Sequence, residues 1–213
     1  MKAALLSLLL ALVTGAARAQ AVPTTGATWA AFIPASYRLL PGGDSLATGD
    51  LNGDGRPDVA LALAADSTRS RLLLVLLRTP AGGYRLAAQS RRVLLQPPSA
   101  DSPGFRDVSV TIEQGLLTVG CIQWSRIGRD ITARFRYRAG DVYLTRLTDV
   151  AGVNQGSCED DGYPPYYDYH DTSFLTGRYE VIRTSGTCRV TLHRRGRQPV
   201  KPLVRLADYR PDL

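Results

Sequence analysis

Lysine is nearly missing from this chain. Among its 26 lysines and arginines only Lys2 and Lys201 are lysines. So uniform a bias reads as a genome-wide habit, not as a phosphate-binding design. Histidine is scarce as well: His170 and His193 stand alone, and histidine is the side chain that moves protons near neutral pH. Neither sits in an H-E-x-x-H or other zinc spacing. No G-x-S-x-G stretch supplies an activated serine. No glycine-rich loop follows a strand and opens a helix, so nucleotide chemistry has no support. No long amphipathic helix is legible, and no apolar run reaches the ~20 residues that cross a bilayer comfortably.

What is present begins with MKAALLSLLLALVTGAARAQA. Lys2 gives a positive start, residues 3–14 are apolar, and Ala17-Arg18-Ala19 is a small-x-small cleavage site. That pattern predicts a signal peptide over 1–19, a secreted or periplasmic protein, and no transmembrane segment after cleavage. Removal leaves 213 − 19 = 194 residues with 24 basic and 19 acidic side chains, a net +5. The arginines are scattered along the chain, whereas a nucleic-acid footprint gathers them on one face, so no nucleic-acid partner is expected.

The body of the chain alternates with period two. Val59, Leu61 and Leu63 oppose Ala60, Ala62 and Ala64, and RLLLVLLR (71–78) is an apolar run bounded by charges. Ala81-Gly82-Gly83 turns this run into YRLAAQS, and RRVLL (91–95) is expected to add a short strand. Gln114-Gly115 and Ala139-Gly140-Asp141 close two further hairpins. In the second, Ile131, Ala133, Phe135 and Tyr137 share one face, and Thr132, Arg134, Arg136 and Arg138 the other. Trp29, Phe32 and Ile33 offer a short packed segment that fits one helical turn. A hairpin is expected from SFLTGRYEVIRT (173–184) and TCRVTLHRR (187–195) and a last strand at LVRLADY, with HRRGRQPVK (193–201) as a basic turn after a strand. The predicted fold is mainly β, with little helix. Antiparallel hairpins form one sandwich-like or partial propeller-blade domain over 20–213, with a polar Tyr/Asp-rich loop at 149–171.

The chemistry concentrates in GDLNGDGRPDVAL. Asp50, Asn52, Asp54 and Asp58 alternate around Gly53 and Gly55, and a strand follows. A hard cation such as calcium wants six to eight oxygens, and short Asp and Asn side chains in a tight loop supply them. The carbonyl of Arg56 can add another. The twelfth position is Leu61 where an EF-hand places a bidentate glutamate, so this is not an EF-hand. A metal-free turn is the alternative, because Asn-Gly and Asp-Gly are strong turn signals. Three carboxylates so close would repel without a cation.

This stretch resembles the aspartate-rich loop of the FG-GAP or VCBS repeats found in integrin-like β-propeller blades. The resemblance implies a calcium site held by Asp50, Asn52, Asp54 and Asp58, with Arg56 by its backbone. The wider pattern, with FIP at 32–34, RLLLVLLR, GGYRLAAQS and FRYRAGDVYL, resembles a set of small exported bacterial envelope proteins.

SCEDDGYPPYYDYHDTS (157–173) offers a second candidate. Tyr163, Tyr166, Tyr167, Asp168 and His170 could recognise a ligand, since tyrosines give large rigid surface at low entropic cost. The expected function is a non-catalytic binding or scaffold module for an envelope protein or glycan, with calcium as cofactor. The alternative is a glycan or cell-wall hydrolase using Glu159, Asp168 or Asp171. Cys158 and Cys188 border loops and are the preferred disulfide among three pairings; Cys121 follows LLTVG and reads as a buried small hydrophobe.

Overall fold

The structure is a computed structural model that describes residues 21–41, 44–66, 68–95, 105–123, 127–153 and 166–211. The expected signal segment lies outside the described residues.

Two antiparallel sheets form. The first holds β1 (Thr25–Gly26), β2 (Tyr37–Leu39), β3 (Leu46–Gly49), β4 (Asp58–Ala65), β5 (Arg71–Arg78) and β6 (Tyr84–Ser90). Its order is β1-β6-β5-β4-β2, and β3 pairs with the opening half of β4. The second is a seven-stranded meander: β7 (Phe105–Glu113), β8 (Leu116–Gln123), β9 (Ile127–Arg138), β10 (Asp141–Val153), β11 (Asp168–Ser173), β12 (Arg178–Thr184) and β13 (Val190–Arg197). It is curled, so the mainly β, sandwich-like or partial-blade fold expected from the sequence is the fold observed.

The central strands explain themselves by period two. In β4, Val59, Leu61 and Leu63 face a cluster with Phe32, Leu72, Leu74 and Leu76, roofed by Trp29, Ile33 and Tyr37. Ala60 and Ala62 face the opposite way, with Leu73, Val75 and Leu77, into the core between the sheets. Both faces are covered, which is why RLLLVLLR reads as an unbroken apolar run. Each fully buried leucine adds about 1.5–3 kcal/mol. The second sheet contributes Val110, Leu117, Val119, Ala133, Phe135 and Leu144 to the same core.

Four sequence expectations are corrected. RRVLL is not a strand: Val93, Leu94 and Leu95 are buried as an irregular plug, and Arg71 donates to the Leu95 carbonyl at 2.5 Å. Burial decided here, because a plug can satisfy its backbone with a side chain instead of a ladder. LVRLADY makes one bridge, Tyr143 to Arg205, with Leu206 and Tyr209 anchored in the core. The polar stretch 149–171 is strand at both ends, since β10 runs to Val153 and β11 starts at Asp168. HRRGR continues β13 to Arg197 instead of turning. The short turn at Trp29–Phe32 forms as a 3-10 helix.

Cys121 is a buried free thiol. Burial pushes its pKa up, which keeps it an unreactive core residue. Cys188 is disulfide-bonded; Cys158 lies outside the described residues.

Candidate functional site

The loop between β3 and β4 is knotted by its own side chains. Asp50 accepts from three backbone N–H groups: Gly53 (2.7 Å) and Asp54 (3.1 Å) on Oδ1, Gly55 (2.8 Å) on Oδ2. Asn52 Oδ1 accepts from Asp54 N at 3.0 Å, and Asp54 Oδ1 from Arg56 N at 2.9 Å. Gly53 and Gly55 both take φ +78°. That left-handed backbone strains other residues and costs glycine nothing.

Asp58 is different in kind. It is fully buried, although it is charged and opens a strand. Its Oδ2 accepts from Leu51 N (2.9 Å) and Asn52 N (3.3 Å), and its Oδ1 from Arg78 N (2.9 Å). One carboxylate therefore fastens the loop after β3, the start of β4 and the end of β5. Burial pushes its pKa up, against the pull of those three N–H donors. Arg78 also lies over the Tyr84 ring, 4.7 Å from its centre, and so ties β5 to β6 at the same corner.

Sequence reasoning missed Gly49. A Cβ there would stand 2.4 Å from the backbone oxygen of Ile112 on β7. The glycine of the "GD" dipeptide is thus a point of close approach between the two sheets. Gly49→Ala is expected to cost about 1–3 kcal/mol by forcing that contact apart, read as a lower urea midpoint with an unchanged slope. The dipeptide itself was the available signal; nothing in the sequence marks the Arg78 amide.

The donor set fits calcium in kind: hard oxygens of Asp50, Asn52 and Asp54 at the exposed loop, with Asp58 behind. A carboxylate has about four lone-pair sites, and each aspartate here uses three in hydrogen bonds. Asp54 Oδ2 meets the Asn52 amide and the Arg56 guanidinium, at 2.9 and 2.5 Å. Desolvation is the largest single influence and raises its pKa, but the hydrogen bonds from Asn52 and Arg56 and the Arg56 charge together outweigh it and hold the carboxyl below its usual range. Arg56 thus stands where a cation would. Among the described residues no three His, Cys, Asp or Glu side chains already converge as a metal site.

The second candidate is split by strand alternation. Asp168 and His170 line a cleft of about 810 Å³ on the inner side of the curled sheet, with Arg129, Asp149 and Tyr209. Asp168 Oδ1 meets His170 Nε2 at 2.8 Å and accepts from Arg183 Nε at 3.0 Å. Arg129 donates twice to Asp149, at 2.9 and 2.6 Å. Asp171 points to the outer face, where Arg146 donates to it at 2.7 and 2.9 Å and Thr148 at 2.9 Å. Asp168 and Asp171 therefore do not form a carboxylate pair across one cleft. The ring of Tyr167 lies parallel to that of Tyr169, their centres 6.1 Å apart. Tyr166 is exposed, and its phenol lies against Gly186. Of the expected ligand residues that are described, Asp168 and His170 meet in the cleft, whereas Tyr166 and Tyr167 do not line it. Tyr163 and Glu159 lie outside the described residues.

Fold and loop together define an antiparallel β protein whose central strand opens on an acidic turn. Residues 42–62, which include β3, the loop and the first half of β4, match the FG-GAP repeat family. No curated protein and no solved structure matches the chain. Among the described residues no helix is long and apolar enough to cross a membrane.

Proposed function

We propose that this chain is an exported, non-catalytic binding or scaffold module whose 50–58 loop takes up calcium. The FG-GAP match over 42–62 suggests a binding module of the integrin-like β-propeller type. The observation that carries the reading is Asp58: one carboxylate at the foot of the loop, at the start of β4, fastens the loop itself to the end of β5, so whatever stiffens the loop stiffens the sheet. Calcium takes the place of the Arg56 guanidinium on Asp54. Asp50, Asn52, Asp54, Asp58 and the Arg56 carbonyl are the oxygens that hold it, and the ion supplies charge neutralisation, not chemistry.

The test is a melting curve of the full chain with chelator and with 10 mM calcium. Extracellular calcium modules bind at about 10⁻⁴–10⁻³ M, so 10 mM adds about 1.4–2.7 kcal/mol. For a chain of this size that raises Tm by about 3–10 °C. Asp54→Ala is expected to remove the response. Arg56→Gln is expected to lower the calcium midpoint up to about fivefold, the worth of an exposed ion pair. Identical wild-type curves with and without calcium would refute the ion. Export is tested by sequencing the N-terminus of the protein in the envelope fraction; the expected first residue is Gln20, and an intact Met1 would contradict it.

The hydrolase alternative loses its simplest form, because Asp168 and Asp171 sit on opposite faces of β11, each held by an arginine.

A further inference from the structure

The arginines that look scattered along the sequence are brought together by strand register. On the outer face of the seven-stranded sheet, Thr111 stands opposite Thr118, and Thr118 opposite Arg134. Arg134 stands opposite Arg146, and Arg146 opposite Ser173. Thr172 pairs with Tyr179, which puts Ser173 beside Arg178, and Arg178 stands opposite Arg197. One row thus crosses every strand from β7 to β13. It holds only hydroxyls and guanidiniums. At about 4.8 Å per strand, six spacings give a track of roughly 29 Å along the curl.

Like charges directly opposite each other on a sheet are destabilising. This face nevertheless sets Arg134 against Arg146 and Arg178 against Arg197. Of the row's four arginines, only Arg146 has an ion pair among the described residues, with Asp171. Arg134, Arg178 and Arg197 have no ion pair among the described residues. Arg136 and Arg138 extend the positive face along β9 from Arg134, both exposed, at about 6.7 Å per same-face step. Glu180, the carboxylate nearest on β12, is already taken by His193 (2.9 Å) and Arg195 (2.6 Å).

We propose that this row is the docking track for a linear, multiply anionic polysaccharide. Three unmatched guanidiniums select negative groups, and guanidinium is the planar donor suited to sulfate and carboxylate. The flanking threonines and serine suit sugar hydroxyls. The row itself carries no aromatic side chain, and Tyr143, opposite Arg136, and Tyr169, beside Arg146, stand outside it, whereas surfaces for single-stranded nucleic acid interleave stacking platforms with their cations. The track is independent of calcium at the 50–58 loop, which lies in the other sheet.

The experiment measures binding of the full chain to a heparin-derived decasaccharide against salt. The comparison is a triple variant, Arg134→Gln, Arg178→Gln and Arg197→Gln, and a charge-matched control, Arg69→Gln, Arg92→Gln and Arg189→Gln, all exposed elsewhere. At 0.1 M salt the row variant is expected to bind at least tenfold more weakly, and its slope of log affinity against log salt to fall by about two. The control is expected to stay within twofold of wild type. Melting curves confirm that both variants fold. Equal losses in the two variants would reduce the effect to net charge and overturn the proposal, as would no binding by wild type. Displacement of the decasaccharide by an equal concentration of a 20-nucleotide oligothymidylate would assign the row to nucleic acid and overturn it too.

Discussion

Asp58→Ala is expected to lower the free energy of unfolding by about 3–5 kcal/mol. The substitution strips the acceptor from the N–H groups of Leu51, Asn52 and Arg78 together. A buried N–H left unpaired costs about 1–3 kcal/mol, and water can reach the partly buried Asn52 and Arg78 amides more readily than that of Leu51. Asp58→Asn keeps the shape but offers one acceptor oxygen and places an amide where a carboxylate was, so it is expected to fall between wild type and alanine. Urea denaturation with and without chelator separates this backbone role from any ion. The alanine variant should lose stability even with calcium removed. A loss below about 1 kcal/mol would show that the three N–H groups find other partners.

Phe135→Ala is expected to cost about 3–5 kcal/mol. Phe135 is fully buried at the centre of the core between the sheets. Its ring meets Tyr209 edge-on, 5.9 Å between centres and 72° between planes. The loss therefore reaches beyond the cavity. Tyr209 and Leu206 are the core anchors of the segment that β10 holds by Leu144 N to Val204 O (2.8 Å) and Leu206 N to Val142 O (2.7 Å). Limited proteolysis is expected to cut within 200–210 in the variant well before it cuts wild type. Cleavage at equal rates would mean that the segment is held by its backbone bonds alone.

The strands were legible where burial is one-sided and the turn chemistry explicit. Gln114-Gly115 takes φ of +50° and +71°, and Ala139-Gly140 takes +49° and +90°, so both hairpins fell where their turn residues said. The 91–95 segment was misread because a short apolar run looks alike in a strand and in a plug; only the partner, here Arg71 against the Leu95 carbonyl, tells them apart. The Tyr/Asp-rich stretch was misread for the opposite reason. Its charge and tyrosines look like a loop, but Asp168 to Ser173 form a half-buried strand whose alternate charges face arginines on both sides. Composition carries no information about such cross-strand partners. The acidic loop showed which oxygens cluster but not that Asp58 faces inward onto backbone N–H groups. The arginine row was invisible for the same physical reason: its members are far apart in sequence and adjacent only through register.

Amide hydrogen exchange at Leu51, Asn52 and Arg78, followed as calcium is added to the chelator-treated chain, tests the loop most directly. If an ion seats among Asp50, Asn52 and Asp54 and stiffens the clasp below it, all three amides slow together at one midpoint, and in Asp54→Ala they do not respond. Exchange rates at those three positions that stay constant up to 10 mM calcium would contradict the account.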